Sequence, residues 1–339
     1  MLDEPSKKKE NMNTLIKGIA LSLLLSMWFL PLSTNAQSIS VAEIDRLRQD
    51  ALQAFNAERF GAGYSAMINF AVVPDISTAR YNIDSDEGDD PRLNVTRIPL
   101  RHVFKSDLRD WSPFIEVGLA YQTIKADFDI LEGETISADW KASGGSLSTG
   151  VEFPITENFS LIPVLDIGLV RLENEANYQG ELVTSVVKPV YEGLLFDWDA
   201  DAWLIGASLG FDYNHDFRKA DVTVHGSITH NYIDTYDSSS DLIDFDSHDT
   251  TLAIKLDSVH PTNLSVGAFP LALVTHVGGT TFLGNNRDAL GFDYFFEFGL
   301  AIEMDISQKQ WHLNKFRLGA NAIYGEDVTG WGLLLGYRF

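Results

Sequence analysis

Tyr294-Phe295-Phe296-Glu297-Phe298-Gly299-Leu300-Ala301-Ile302-Glu303-Met304 is the stretch that decides the fold. Tyr294, Phe296, Phe298, Leu300, Ile302 and Met304 stand at every second position, and Glu297, Gly299, Ala301 and Glu303 fill places between them. Successive side chains of a strand point to opposite faces, so this segment has one apolar face and one face carrying two carboxylates. The three- and four-residue spacing of a helix would mix the two sets.

The same period recurs on both sides of that stretch. Ile115, Val117, Leu119 and Tyr121 alternate with Glu116, Gly118, Ala120 and Gln122, and Trp203, Ile205, Ala207, Leu209 and Phe211 alternate with Gly206, Ser208, Gly210 and Asp212. Twelve such runs can be counted, near 62–73, 92–104, 113–126, 141–155, 160–174, 202–214, 219–231, 249–257, 263–276, 289–304, 313–324 and 328–339. Each has roughly the length that a tilted membrane strand needs. Connections near 105–112, 156–159, 215–218, 258–262 and 305–312 are short, while those near 74–91, 127–140, 175–201 and 232–248 are long. Short periplasmic turns and long external loops are the habit of outer-membrane barrels. The four long segments hold 22 acidic and two basic residues, so most of the chain's formal charge of −23 is placed on one rim. A soluble β-sandwich is the competing all-β reading. It is disfavoured by the aromatic ends of the apolar faces, by opposite faces rich in Gly, Ser and Asn, and by the free edges it would leave.

Other classes are excluded by composition. The strong negative charge opposes phosphate binding, so no nucleic-acid partner is expected. The chain has no cysteine, which removes disulfides, thiolate metal sites and cysteine nucleophiles. No phosphate loop, zinc cluster or dinucleotide fingerprint appears, and neither cofactor nor metal is expected.

At the N-terminus, Lys7, Lys8, Lys9 and Lys17 precede an apolar stretch from Ile19 to Leu32 and the small residues Thr34 and Ala36. This pattern predicts a secretory signal peptide over 1–36, read from Met1 or from Met12. An amphipathic helix is expected within 37–61. Ser40 and Glu43 have capping-box spacing, and Ile44, Leu47, Ala51 and Phe55 form an apolar stripe beside Arg46, Arg48 and Asp50. A coiled-coil seam is the alternative use of that stripe. Residues 62–339 complete the division as the barrel.

The chain ends in Trp331, Leu333, Leu335, Tyr337 and Phe339 on one face. A terminal Phe after alternating apolar residues is similar to the signal by which outer-membrane barrels are recognised for assembly. With the helix and the twelve runs, the layout resembles the translocator barrel of autotransporters, over about residues 40–339. The resemblance implies a helix inside a twelve-stranded barrel. Autotransporters carry a long passenger ahead of that helix, whereas here only Gln37, Ser38 and Ile39 separate the expected cleavage site from Ser40. A solitary translocator-like barrel without a passenger is therefore expected. The paired Asn used for passenger release in some members is replaced by Asn56-Ala57.

Two constellations were weighed for chemistry. His225 and Ser227 share a strand face, as base and nucleophile do in some outer-membrane lipid hydrolases. The Val222, Val224 and Ile228 face claims the lipid, however, which turns the pair into the lumen. The Asp84–Asp90 run resembles a calcium loop, but its glycine is misplaced and no glutamate closes it. It reads as a solvated acidic loop.

The sequence thus predicts an all-β protein, a twelve-stranded antiparallel transmembrane barrel with one N-terminal helix in the lumen. Its expected place is the outer membrane of a Gram-negative bacterium. Glu116, Glu152, Asp212, Glu297, Glu303, Arg317 and Arg338 are the expected pore-lining residues, and Arg46, Arg48 and Asp50 the candidates to pair with Glu116, Glu297 and Arg317. The expected function is non-enzymatic, that of a narrow plugged pore or surface-exposed barrel. Lipid or lipopolysaccharide hydrolysis, or adhesion through acidic loops, are the alternatives. Outer-membrane lipid, lipopolysaccharide and the barrel-assembly machinery are the expected partners of a monomer.

Overall fold

The computed structural model describes residues 40–54, 78–83, 92–105, 110–217, 220–240, 243–284, 292–307 and 314–338. Helix α1 spans Val41–Ala54. The strands are β1 Thr78–Ile83, β2 Arg92–Val103, β3 Ser112–Leu131, β4 Glu134–Pro154, β5 Phe159–Gln179 and β6 Trp198–Phe217, followed by β7 Ala220–Ser238, β8 Asp246–Val266, β9 Phe269–Gly284, β10 Tyr294–Asp305, β11 Lys315–Gly325 and β12 Val328–Arg338. Each pairs antiparallel with the next, and β1 pairs with β12 from Thr78↔Leu333 to Ile83↔Val328, closing a barrel. Closure leaves no free edge along that seam.

The two-residue period sorts the side chains as expected. On β10, Phe296, Phe298, Leu300 and Ile302 are exposed on the outer wall, while Phe295, Glu297 and Glu303 are buried. An exposed apolar band recurs on β3 (Ile115 to Tyr121), β5 (Leu165 to Leu169) and β12 (Trp331 to Leu335). Aromatic residues mark its two margins, with Trp111, Phe153 and Phe217 on one side and Tyr121, Tyr294 and Tyr324 on the other. Such a band is what a lipid-facing wall requires. Among the described residues no helix is long and apolar enough to cross a membrane.

Several expected segments are redrawn. The predicted first strand at 62–73 lies outside the described residues, and β1 sits at Thr78–Ile83, inside the stretch expected to be a loop. The supposed loop 127–140 is instead the tip of a hairpin, in which β3 and β4 stay paired to Leu131↔Glu134 around Gly133, whose φ is 82°. The period was obscured there because the outward positions Asp127, Asp129 and Asp139 are acidic, which reads as loop. The turn expected at 258–262 lies within β8. The chain reverses at Gly267 (φ 63°), after a register shift between Pro261 and Ser265.

The wall is uneven in height. Beyond Tyr121, β3 continues for a further ten residues to Leu131, and β4 and β5 rise with it, whereas β10, β11 and β12 meet their extracellular connections at Tyr294, Gly325 and Val328. The inward faces of the raised part, including Ile124, Ala126, Phe128, Ile136, Ala138 and Leu172, form one buried core with residues of the β5–β6 connection.

Candidate functional site

The β5–β6 connection folds inward. After Gly180 it makes a π-helical turn over Val183–Val187 and then a short helix, α2, at Lys188–Tyr191. Val183, Val187, Val190, Tyr191, Leu194 and Phe196 are buried in the core shared with β1–β7, β9–β12 and the β7–β8 connection. Phe196 meets Phe128 and Tyr178 edge to face, with centroids 6.2 and 6.3 Å away. The described inward faces of the raised wall are thereby packed with apolar side chains of this segment.

Three polar clasps hold this segment. The Glu134 carboxylate accepts hydrogen bonds from the Leu182 and Val183 N–H groups at 3.2 and 2.9 Å, satisfying donors that a helical start leaves open. The Asp197 carboxylate accepts from the Ala176 N–H and the Tyr178 hydroxyl, both at 2.9 Å, and the Asp197 N–H donates to Asn174 Oδ1 at 3.0 Å. Asp197 has φ 57°, a region that Asp tolerates better than bulkier residues. Burial, then the bond to Asp197, pushes the Tyr178 phenol above its ordinary range. The third clasp is Arg48 of α1, whose guanidinium donates to the carbonyls of Pro189, Val190 and Glu192 at 3.1, 3.3 and 3.0 Å.

Helix α1 starts with the capping geometry its sequence implies. Glu43 N–H donates to Ser40 Oγ at 3.3 Å, and that hydroxyl reaches the Glu43 carboxylate at 3.5 Å. Ile44 and Leu47 pack against the apolar core. The side chain of Asp50 and all of Phe55 lie outside the described residues. The expected pairing of Arg48 with lumenal carboxylates is corrected, because Arg48 serves main-chain carbonyls and the wall charges serve one another.

The lower lumen is charged and internally paired. Glu116 is gripped by Arg97 at 3.0 Å and Arg101 at 2.8 Å, and the Arg101 guanidinium lies 4.2 Å from the centroid of the Phe114 ring. On the facing wall, Arg317 bridges Asp257 at 2.7 Å and Glu303 at 2.8 Å, and Lys315 adds 2.7 Å to Glu303. His276 lies between Asp257 and Glu297, at 2.8 and 3.2 Å. Only a ring protonated on both nitrogens donates to both carboxylates. Asp212 pairs with His225 at 2.5 Å. Glu152 is half-buried on the inward face of β4, and the Arg338 side chain lies outside the described residues. Among the described residues no hydrogen bond joins His225 to Ser227, and no group of three or more His, Asp or Glu is placed to hold a metal.

Trp331, Leu333 and Leu335 face outward on β12, while the Tyr337 side chain and Phe339 are not described. Sequence reasoning missed Glu134, Asn174, Tyr178, Asp197, Asp257 and His276. One signal was available for the first four: Leu182-Val183 through Leu194-Leu195-Phe196 is an apolar run inside a segment counted as acidic loop.

Comparison with known proteins agrees with this architecture. Among curated proteins none matches the chain. The solved translocator domain of the autotransporter NalP from Neisseria meningitidis is similar at TM-score 0.51 and 13% identity, covering 77% of this chain and 86% of that one. The β domain of the Bordetella autotransporter BrkA gives 0.52 and 14%, covering 77% and 95%. The transport unit of the autotransporter AIDA-I from Escherichia coli gives 0.50 and 9%, covering 98% and 100%. At such identities these likenesses speak to the fold alone. A family model does more: residues 76–339 match the solitary outer membrane autotransporter beta-barrel domain, and the chain belongs to that family of Gram-negative outer-membrane barrels.

Proposed function

We propose that this protein is a non-enzymatic, self-occluded outer-membrane barrel that works as a surface-exposed structure and not as a standing channel. The observation that carries the reading is the inward-folded segment 180–197, clasped by Glu134, Asp197 and Arg48 over an apolar core. Below it the lumen charges neutralise one another in pairs, which leaves little uncompensated field to attract ions. On this reading α1 is a second, outer fastening, and the loop is the principal plug. Lipopolysaccharide and phospholipid contact the outer wall, the barrel-assembly machinery inserts it, and it acts as a monomer.

Planar-bilayer recording tests the reading. The intact chain should show only rare, brief openings. Replacing residues 181–196 by a Gly-Ser linker should give a steady current, and deleting residues 40–54 alone should give intermittent current. A large steady current from the intact chain would defeat the proposal. Hydrolysis is disfavoured because His225 faces the lumen, away from lipid, and among the described residues no hydrogen bond joins it to Ser227. Release of fatty acid from lipid vesicles by the purified protein, abolished in His225→Ala, would reinstate it.

A further inference from the structure

Where the apolar band gives way to the extracellular wall, β6, β7 and β8 carry four outward rings in contact. Trp203 and Tyr232 lie edge to face with centroids 5.2 Å apart. Tyr232 meets His248 at 4.7 Å, and His248 stacks on His230 at 5.7 Å with the planes 14° apart. His230 Nδ1 is 2.9 Å from the Thr250 hydroxyl. His230 and His248 are exposed, and the outward row below His230 holds the lipid-facing Leu209 and Ile228, paired across β6 and β7. An exposed imidazole in hydrocarbon is costly, so these rings mark the head-group boundary on this side of the barrel.

Carboxylates line the upper margin of the ladder. Asp234 stands opposite Trp203 on one side and Asp246 on the other, two positions beyond Tyr232 and two before His248 on the same face. Asp201 lies two positions beyond Trp203, where it pairs with Arg171. Arg171 already serves Glu173 and Asp199 as well, so the margin is negative overall. A bare phosphate would be repelled there. A sugar would not be. Its C–H face is apolar enough to lie on aromatic rings, and its neighbouring hydroxyls can donate to carboxylate and imidazole acceptors.

We propose that the outer wall at Trp203, Tyr232, His248 and His230 binds the sugar head of an outer-leaflet glycolipid. Its acyl chains lie along Leu209 and Ile228, and its hydroxyls meet Asp234 and Asp246. The proposal rests on the outer-membrane placement, and it assigns recognition to the sugar and not to any phosphate the glycolipid carries.

The test uses the whole folded barrel in nanodiscs, with a neutral monoglucosyl diacylglycerol and phosphatidic acid as competing probes, and native mass spectrometry of the lipid retained on gentle release. The barrel should retain the glucosyl lipid over phosphatidic acid. Trp203→Ala or Tyr232→Ala should lower that retention about tenfold, as loss of an aromatic stack implies. Tyr324→Ala, which removes a girdle ring outside the ladder, should leave it unchanged. Equal loss with Tyr324→Ala would reduce the ladder to ordinary interfacial anchoring and overturn the proposal. So would preferred retention of phosphatidic acid that vanishes on chelating magnesium. If Trp203→Ala fails to assemble, His248→Ala, which leaves the Trp203–Tyr232 contact intact, decides the matter. Retarded gel migration of the unheated barrel reports insertion separately. An inserted barrel without sugar preference defeats only this assignment, and a barrel that never inserts defeats the membrane placement beneath it.

Discussion

Glu134 and Arg48 grip opposite ends of one inward-folded segment: the carboxylate takes the N–H groups of Leu182 and Val183, and the guanidinium takes the carbonyls of Pro189, Val190 and Glu192. One clasp comes from the barrel wall and the other from the N-terminal helix. The two can therefore be released independently.

Removing Arg48 should loosen the plug without disturbing the wall. Hydrogen bonds to a charged donor contribute about 1.5–3 kcal/mol, so Arg48→Ala should raise the open population roughly 10- to 100-fold. Single-channel recording measures this as opening frequency. Glu134→Ala should act in the same direction, and the double variant should open more than either. Unchanged gating in both single variants would mean that the apolar core alone holds the loop.

The Asp197 latch should fail in alkali. Burial and the bond to Asp197 hold the Tyr178 phenol above the ordinary value of 10.0, so its proton stays on in the folded loop. The stabilisation is complete below that ordinary value and is lost as pH rises toward the folded one. Ultraviolet titration of the chain against Tyr178→Phe should show the missing tyrosinate absorbance only above the range of ordinary tyrosines. A difference spectrum that titrates with the exposed tyrosines would sink the latch.

Breaking the lower-lumen network should destabilise the barrel itself. Arg317→Met leaves Asp257 and Glu303, each with a side chain 5% exposed, without their shared cation. Losing one partner of a buried pair costs about 3–5 kcal/mol. Lys255 and Lys315 remain near the two carboxylates and should hold the loss toward the lower figure. Urea unfolding in vesicles, followed by loss of gel-shift behaviour, measures it, and Arg317→Lys should recover part of the loss.

A charge on the most exposed apolar positions should be harmful, which is the reverse of a soluble protein. Leu300 is 60% exposed at the middle of β10. Leu300→Arg should cost about 2–4 kcal/mol in a bilayer. The same exchange at Leu131, 56% exposed at the raised tip of β3, should cost little. Equal tolerance at both sites in refolding titrations would contradict the placement of the lipid belt.

The barrel was legible because its outer wall must be apolar and its strands have a strict period of two. Tyr294 to Met304 and Ile115 to Tyr121 show that period without interruption. The raised wall was read as loop for the same physical reason turned round. Outside the membrane the outward positions become Lys125, Asp127, Asp139 and Glu173, and alternation of acid with Ile124, Phe128 or Leu172 dilutes the apolar signal. The charges lining the lumen were legible by phase, as at Glu116, Glu303 and Arg317. Their partners were not, because pairing across strands depends on register: His276 meets Asp257 only through β8–β9 neighbours fixed by a bulge at the far end. The plug was hidden most deeply. Its apolar residues recur with neither a clean helical nor a strand period, and its clasps come from positions up to 144 residues away.

The raised wall of β3, β4 and β5 means that much of the cell-facing exterior is woven sheet, not slack loop. Inserting one residue directly after Tyr121 would exchange the two faces of the raised strand, sending Lys125 and Asp127 inward and Ile124 and Phe128 outward. The solvent-facing pattern is therefore mortgaged to the packing of the plug behind it. An antibody, phage or neighbouring cell that reads this wall reads a surface the chain cannot redraft freely, and tolerance for inserted sequence concentrates at the Glu132-Gly133 turn, where the ladder ends.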